Sequence, residues 1–245
     1  MFFLKKNKTL LKDLIPTDYI DIHSHLLPGI DDGAKTTDDT FFLISELQKI
    51  GIASIITTPH IYSGLWDNTR DGIQNLEVDT KNILSAKDIS IPIKAAAEYL
   101  MNDHFVALVK KGEILTLKDN IVLVEMSYLN APIQLYDIIF DLQVAGYKPL
   151  LAHPERYLFY HNNFNEYLKL KNAGCLFQLN LLSTVGYYGE SVTETAKKLL
   201  EKGLIDYVGS DVHHKNHIDS FYKNVLIKDT KPLEEAIANN QFFNQ

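Results

Sequence analysis

Six short apolar runs in this chain each end on a side chain that can hold a metal ion, and this repeated ending restricts the fold more than any other feature. The runs are Tyr19–His25 (YIDIHSH), Ser54–His60 (SIITTPH), Ile93–Glu98 (IKAAAE), Ile121–Glu125 (IVLVE), Pro149–His153 (PLLAH) and Ile205–His213 (IDYVGSDVH). Each reads as a strand, and helix-like segments separate them, the order expected of βα units sharing a parallel sheet. A closed parallel barrel gathers the carboxyl ends of its strands on one face, so the six endings would meet around a single cleft.

Chain length agrees: 245 residues is close to the ~250 of one (β/α) barrel. The 46% hydrophobic and 22% charged content suits an ordinary globular domain. One cysteine, Cys175, excludes an intrachain disulfide and a cysteine-rich zinc module. The first residues, MFFLKKNK, place apolar side chains before charges, the reverse of a secretory signal. The longest uncharged stretch, Ala173 to Gly189, is broken by Gln178, Asn180 and glycines and does not read as a membrane span. These features predict a cytoplasmic protein. The formal charge of −7 argues against nucleic-acid binding, which calls for a basic surface. Part of the acidic excess would be Asp32, Glu98, Glu125 and Asp211, placed to meet cations.

No stretch reads as an interdomain linker, and no repeat of 20–50 residues is visible. Residues 1–18 read as an N-terminal arm and 19–245 as one domain. Seven strands are predicted: Tyr19–His23, Ala53–Thr57, Ile91–Ala97, Ile121–Glu125, Lys148–Ala152, Cys175–Asn180 and Tyr207–Gly209. Helices are expected over Thr36–Ile50, Asp71–Ser85, Asn102–Val109, Gln134–Ala145, Asn165–Asn172 and Ser191–Lys202, with a last helical segment at Leu233–Phe243. Several end at a glycine: Gly51, Gly146, Gly174 and Gly203. Ile121–Glu125 is continuously apolar until its last residue, as for a parallel strand covered on both faces.

In His23-Ser24-His25, alternate residues of an extended chain point the same way, so both imidazoles can reach one ion. Asp211-Val212-His213 repeats that spacing. Asp31-Asp32-Gly33 reads on its own as a turn, and its place six to seven residues past a His-x-His pair raises the alternative that one carboxylate is a ligand. His60 follows Pro59 directly after a strand, where a lone histidine is more often a loop residue than a ligand. Glu98 and Glu125 end buried apolar strands, where a carboxylate is costly unless paired or coordinated; a salt bridge is the alternative. His153 is followed by Arg156, the natural bidentate partner of phosphate, unless it pairs with Glu155 or another acid. His214, Lys215 and His217 read mainly as surface residues, and His104 and His161 as unrelated to the site. Tyr62, Trp66, Tyr99, Tyr128 and Tyr157 lie near strand ends and could wall a pocket, although 13 tyrosines make chance placement of any one easy.

Taken in register, IDIHSH, Asp31-Asp32-Gly33, Thr58-Pro59-His60, Ala97-Glu98, Val124-Glu125, AHPER (152–156) and Ser210–His213 resemble the PHP (polymerase and histidinol phosphatase) superfamily. More narrowly they resemble its CpsB/CapC branch, bacterial manganese-dependent protein-tyrosine phosphatases. The resemblance runs from about Tyr19 to His213. It implies an α/β fold, a distorted (β/α)7 TIM-like barrel (the PHP fold) in a single domain, with three divalent ions, manganese first and iron or zinc as alternatives. It implies that His23, His25, Glu98 and Asp211 hold one ion, that Glu98 bridges to a second held with Glu125 and His153, and that Asp32, His60 and His213 hold the third. It selects Asp32 over Asp31. Arg156 corresponds to the phosphate-binding arginine, and Arg156 and His213 take the catalytic roles. The branch often carries a further arginine after the Asp-x-His; here Lys215 stands as the substrate-binding cation, beside His214 and His217. The first 18 residues lie outside the resemblance.

The implied reaction is phosphomonoester hydrolysis, attack by a metal-activated water on a phosphotyrosine protein. The implied substrate is the Tyr-rich tail of a tyrosine autokinase of capsule or exopolysaccharide biosynthesis. No Cys-x5-Arg phosphate loop is present, since Cys175 is followed by LFQLN. The rival readings are a small-molecule phosphatase such as a histidinol phosphatase, a metal-dependent amide hydrolase of similar barrel shape, and a non-catalytic metal-binding regulator. The amide hydrolase is weakened because Glu125, not a lysine, ends the fourth strand.

Overall fold

The computed structural model describes residues 9–244, so residues 1–8 of the expected arm lie outside the described residues. Strand β1 (Tyr19–Asp21) leads through a loop to helix α1 (Thr37–Ile50) and β2 (Ile52–Thr57). The Thr36 hydroxyl accepts from the Asp39 amide and the Asp39 carboxylate accepts from the Thr36 amide, a reciprocal cap that satisfies two otherwise orphaned donors. Gly51, at φ 118°, ends the helix. Leu43, Ile44, Leu47 and Ile50 are its buried face.

Beyond β2 come β3 (His60–Ile61), α2 (Arg70–Ala86), β4 (Ile93–Ala95), β5 (Glu98–Leu100), α3 (Asp103–Lys111), β6 (Ile121–Glu125), α4 (Leu135–Val144) and β7 (Lys148–Ala152). The chain continues with α5 (Asn165–Asn172), β8 (Leu176–Asn180), α6 (Glu190–Glu201), β9 (Tyr207–Gly209), α7 (Lys215–Ser220) and α8 (Lys231–Asn239). All pairings between these strands are parallel, in the orders β1-β2-β4 and β3-β5-β6-β7-β8-β9.

The nine strands make seven staves. The second and third staves each pass from one sheet to the other, β2 into β3 and β4 into β5. Two expectations are corrected here. The second strand ends at Thr57 as expected, but pairing resumes at His60 in the other sheet, which was not expected, and the strand expected over Ile91–Ala97 is shortened to Ile93–Ala95 with a break at Ala96-Ala97. Proline lacks an amide to donate, so the ladder is interrupted at Pro59 and re-forms one step later, where the Glu98 amide donates to the Pro59 carbonyl. The first strand also ends at Asp21 rather than His23, and the short helix α7 was not anticipated.

Between the last stave and the first, the Asp211 amide donates to the His23 carbonyl and the His25 amide to the Val212 carbonyl. Lower down, the Asn240 carboxamide spans both, donating to Ile20 O and Val208 O and accepting from the Val208 amide. Ile20, Ile22, Ile56, Ala96, Ile121, Leu123, Leu150 and Ala152 pack as one cluster with Phe243. They come from alternate positions on successive staves, so they are the barrel interior. Two larger clusters lie between the staves and the helices. The period-2 alternation then positions the site: Ile56 leads to His60, Ala96 to Glu98, and Ile121 and Leu123 to Glu125.

The described part of the arm is tied to the barrel. Leu11 is fully buried, and the Leu11 and Lys12 amides donate to the carbonyls of Lys223 and Phe221.

Candidate metal centre

Glu98 sits at the middle of a buried cluster on the carboxyl ends of the staves. Its Oε2 is 3.2 Å from His23 Nε2, 3.4 Å from His25 Nε2 and 3.3 Å from His60 Nδ1; its Oε1 is 3.0 Å from His153 Nε2. Glu125 Oε1 is 3.1 Å from His60 Nδ1. Asp211 Oδ1 lies 3.3 Å from His23 Nε2 and 3.6 Å from His25 Nε2. At the open side, Asp32 Oδ1 is 3.5 Å from His60 Nε2 and 3.4 Å from His213 Nε2. All nine residues named as ligands in the sequence are therefore together.

Whether this set fits metal ions can be judged from the other ring nitrogens. His23 Nδ1–H donates to Gln178 Oε1 at 2.7 Å, His25 Nδ1–H to Asp31 Oδ2 at 2.8 Å, and His213 Nδ1–H to the Asp211 carbonyl at 2.8 Å. An oxygen acceptor facing Nδ1 keeps the proton there and leaves Nε2 with its lone pair. Three such Nε2 positions face carboxylate oxygens, an arrangement that an electrophile, a proton or a metal ion, must bridge. The 3.0–3.6 Å nitrogen–oxygen separations match the edge of a tetrahedron or octahedron with bonds of roughly 2.1 Å. The donors are imidazoles and carboxylates without thiolate, a set suited to manganese, iron or zinc. The residues fit.

Electrostatics agree. Among the described residues, four carboxylates of the cleft face one permanent cation, Arg156. Burial opposes charge on His25, but the Asp31 and Glu98 carboxylates outweigh it and raise the imidazole to about 10. Burial likewise opposes ionisation of Glu98, yet the surrounding imidazoles hold its carboxyl well below the ordinary range. The cluster favours positive charge.

Four overlapping groups have ligand atoms mutually within 4.8 Å: His25, Asp32, His60 and His213; His23, Glu98 and His153; His23, His25 and Asp211; His60, Glu98 and Glu125. The resemblance pairs Glu125 with His153 around one ion, whereas here Glu125 groups with His60 and His153 with His23. Glu98 is common to both, so the sets share a centre.

Two ligand positions carry left-handed backbone, His153 at φ 37° and Asp211 at φ 51°. For residues with a Cβ this costs of order 1–3 kcal/mol. The Arg156 amide holds the His153 carbonyl, and the Asp211 amide is bound by His23 O. At His153, which directly follows the interior residue Ala152, the turn aims the side chain inward where the strand alternation would not.

Asp31 and Asp32 divide the work. Asp31 is buried, accepts from the Gly33 and His60 amides, and fixes the His25 tautomer; Asp32 is half exposed and faces the cluster. Gly33 makes this possible by lying against the chain at His25, where an added Cβ would stand 2.1 Å from the His25 carbonyl oxygen. Gly33→Ala should therefore cost roughly 1–3 kcal/mol and reduce the thermal stabilisation given by manganese. A melting curve like wild type, with and without manganese, would contradict this account of the loop.

Arg156 pairs with Asp211 at 2.9 Å, not with Glu155. Its guanidinium lies between the rings of Tyr128 and Tyr188, 4.7 Å and 4.2 Å from their centroids. Glu155 turns away, accepting from the Asn180 amide and the Ser183 hydroxyl; burial pushes its carboxyl up to about 7. A cleft of about 560 Å³ opens over Asp32, His60, Glu98, Glu125, His153, Arg156, Asp211 and His213. Tyr62, Trp66 and Tyr128 line it, while Tyr99 and Tyr157 are core residues whose hydroxyls accept from the Leu115 and Met126 amides.

Lys215 is exposed and does not line the cleft. His214 and His217 do, and His217 is buried, its Nδ1 accepting from the His213 amide. Both facts correct the sequence reading: as the first residue of α7, Lys215 faces outward while the same turn presents His217. The sequence reading also missed Gln178, Asn180 and Tyr188. Asn180 donates to Asp211 Oδ2 at 2.6 Å and accepts from Gln178 Nε2 at 3.1 Å. Two carboxamides at alternate positions ending an apolar strand were the available signal. Cys175 is buried away from the cleft and burial pushes its thiol up to about 12.

A family model described as capsular polysaccharide synthesis, CpsB/CapC, matches residues 19–240. The tyrosine-protein phosphatase YwqE of Bacillus subtilis (strain 168) is 30% identical over 196 residues, 80% of this chain and 77% of its own length. The tyrosine-protein phosphatase CpsB of Streptococcus pneumoniae is 28% identical over 201 residues, 80% and 83% of the two chains. A solved structure from work on those two proteins, described as unique metal-dependent tyrosine phosphatases, superposes with a TM-score of 0.77 at 27% identity, covering 92% of this chain and 88% of that one. A zinc-bound amidohydrolase shares the fold at 11% identity with a TM-score of 0.52, covering 95% of this chain and 86% of its own.

Proposed function

The chain belongs to the CpsB/CapC family of capsular polysaccharide synthesis, and on that premise we propose that it is a metal-dependent protein-tyrosine phosphatase. The observation that carries the reading is the convergence of three Nδ1-anchored imidazoles with carboxylate oxygens beside a guanidinium held between two tyrosine rings.

Three divalent ions are assigned, manganese first with iron or zinc as alternatives. His23, His25, Glu98 and Asp211 would hold one, Glu98, Glu125 and His153 the second, and Asp32, His60 and His213 the third. Ions bound there would polarise a phosphoryl oxygen and lower the pKa of an attacking water. Arg156 would grip two phosphoryl oxygens and offset the charge that builds on them. The Asp211 carboxylate and the two tyrosine rings hold its guanidinium in place beforehand, so little reorganisation accompanies reaction. Trp66, stacked on His60 at 4.5 Å, and Tyr128 supply apolar surface for an aromatic leaving group. A phenolate, with a pKa of roughly 10, departs with less proton assistance than an alkoxide. The buried Cys175 thiol takes no part.

The proposed substrate is a phosphotyrosine protein, the Tyr-rich tail of a tyrosine autokinase of capsule or exopolysaccharide biosynthesis, which would put the enzyme in the cytoplasm. No helix among the described residues is long and apolar enough to cross a membrane. Residues 19–245 are assigned as the catalytic domain and 1–18 as an accessory arm. The discriminating assay compares a phosphotyrosine peptide with histidinol phosphate in the presence of manganese. Faster turnover of the peptide is expected; faster turnover of histidinol phosphate would replace this reading with the small-molecule one.

A further inference from the structure

Helix α4 has apolar side chains on two faces. Leu135, Ile138, Ile139 and Leu142 are buried against the barrel. On the outer side Tyr136, Phe140 and Val144 are 42%, 64% and 70% exposed, and Ile133, just before the helix, is 97% exposed. Spacings of four residues place Tyr136, Phe140 and Val144 on one stripe of the helix, with Ile133 in the turn just before it. Tyr136 is partly covered by α5, its hydroxyl donating to the Glu166 carboxylate, whereas Ile133, Phe140 and Val144 stay mostly exposed, more apolar surface than a helix ordinarily leaves on its outer side.

The stripe is continuous with the cleft. The loop from the end of β6 to α4 carries Tyr128 and Leu129, both lining the cleft, and reaches Ile133 four residues later. Leu129 is itself 87% exposed. From Tyr136 to Val144 the helix rises about 12 Å, a length that roughly four residues of extended chain cover. Asp137 and Asp141 flank the stripe. Two copies of this face would bring those acids together, so a second molecule of the same chain is the poorer occupant.

We propose that the α4 stripe is a docking strip for the polypeptide that carries the phosphotyrosine, and that it selects apolar side chains interspersed with lysine or arginine near the phosphorylated residue. The inference rests on the phosphatase reading and adds a determinant outside the reacting centre.

The test uses the full-length manganese-loaded protein, an Ile133→Ser/Phe140→Ser variant and two phosphotyrosine peptides, one with apolar and basic flanks and one with serine and glycine flanks. A small aryl phosphate is the control. Wild type should favour the apolar–basic peptide by about tenfold in kcat/KM, expressed mainly in KM. The variant should lose that preference and keep wild-type turnover of the aryl phosphate. Equal use of both peptides by wild type, or a preference that survives in the variant, would overturn the docking strip alone. Equal loss of peptide and aryl phosphate turnover would overturn it in favour of a structural role. A wild-type dimer in sedimentation that the substitutions dissociate, with peptide preference unchanged, would assign the face to self-association instead. Failure of wild type on both peptides with aryl phosphate turnover intact would remove the tyrosine-phosphatase reading, and the strip with it.

Discussion

Glu98→Gln is expected to lower aryl phosphate turnover by about a thousandfold or more while leaving the fold intact. The substitution keeps shape and removes charge. In the native protein one carboxylate stands 3.0–3.4 Å from four imidazoles, so every ion assigned to the inner part of the site depends on it. A carboxamide offers one neutral oxygen in place of two charged ones and cannot bridge. Loss of roughly 4 kcal/mol of transition-state stabilisation corresponds to the thousandfold figure. Circular dichroism should be unchanged. Manganese should raise the melting temperature of wild type, because a ligand that binds only the folded state stabilises it, and should raise that of the variant much less. A variant with wild-type turnover and a wild-type manganese shift would remove Glu98 from the centre of the site.

Arg156→Ala should reduce kcat/KM for aryl phosphate by about a hundred- to a thousandfold, with metal content close to wild type. The separation of the two effects follows from the contacts. Removing the guanidinium removes a preorganised donor aimed at phosphoryl oxygens, a loss of roughly 3–4 kcal/mol in comparable cases. Asp211 loses the 2.9 Å contact but keeps the Asn180 carboxamide at 2.6 Å and the Tyr188 hydroxyl at 3.3 Å, so it should stay in place. Arg156→Lys should recover only part of the loss. An ammonium makes no planar fork and stacks poorly between Tyr128 and Tyr188. Full rescue by lysine would mean that only a point charge is needed, and metal loss in the alanine variant would mean that Arg156 acts by holding Asp211.

The staves and their chemical endings were legible in the sequence because two periodicities coincide there. Apolar alternation marks a strand, and the same alternation carries Glu98, Glu125 and His60 to the interior face. Helix α1 was legible from Thr36 and Asp39 at its start and Gly51 at its end, each acting within a few residues of the terminus it marks. The breaks at Pro59 and Ala96-Ala97 were not, since they reflect a ladder passing between two sheets, a property of strands far apart in sequence. The choice between Asp31 and Asp32 also escaped local reading. Both fit a turn, and only their burial and their partners, His25 for one and His60 with His213 for the other, divide the roles. Gln178, Asn180 and Tyr188 went unnoticed because they bind no ion in the reading and act through neighbours: each orients His23 or Asp211 by a hydrogen bond the sequence does not display. His217 and Lys215 exchanged places for the same kind of reason, the register of a one-turn helix deciding which side chain meets the cleft.

The central claim is that these buried imidazoles and carboxylates form one multi-ion catalytic centre. Its most direct test is metal content per chain and phosphotyrosine peptide turnover, measured on the same fractions of wild type and Glu98→Gln after chelation and manganese reloading. The account predicts that reloaded wild type holds about three ions and regains turnover in step with them, while the variant regains neither the two ions assigned to Glu98 nor turnover. Turnover by wild type that persists after its metal has been removed, or a variant that reloads and works like wild type, would contradict it.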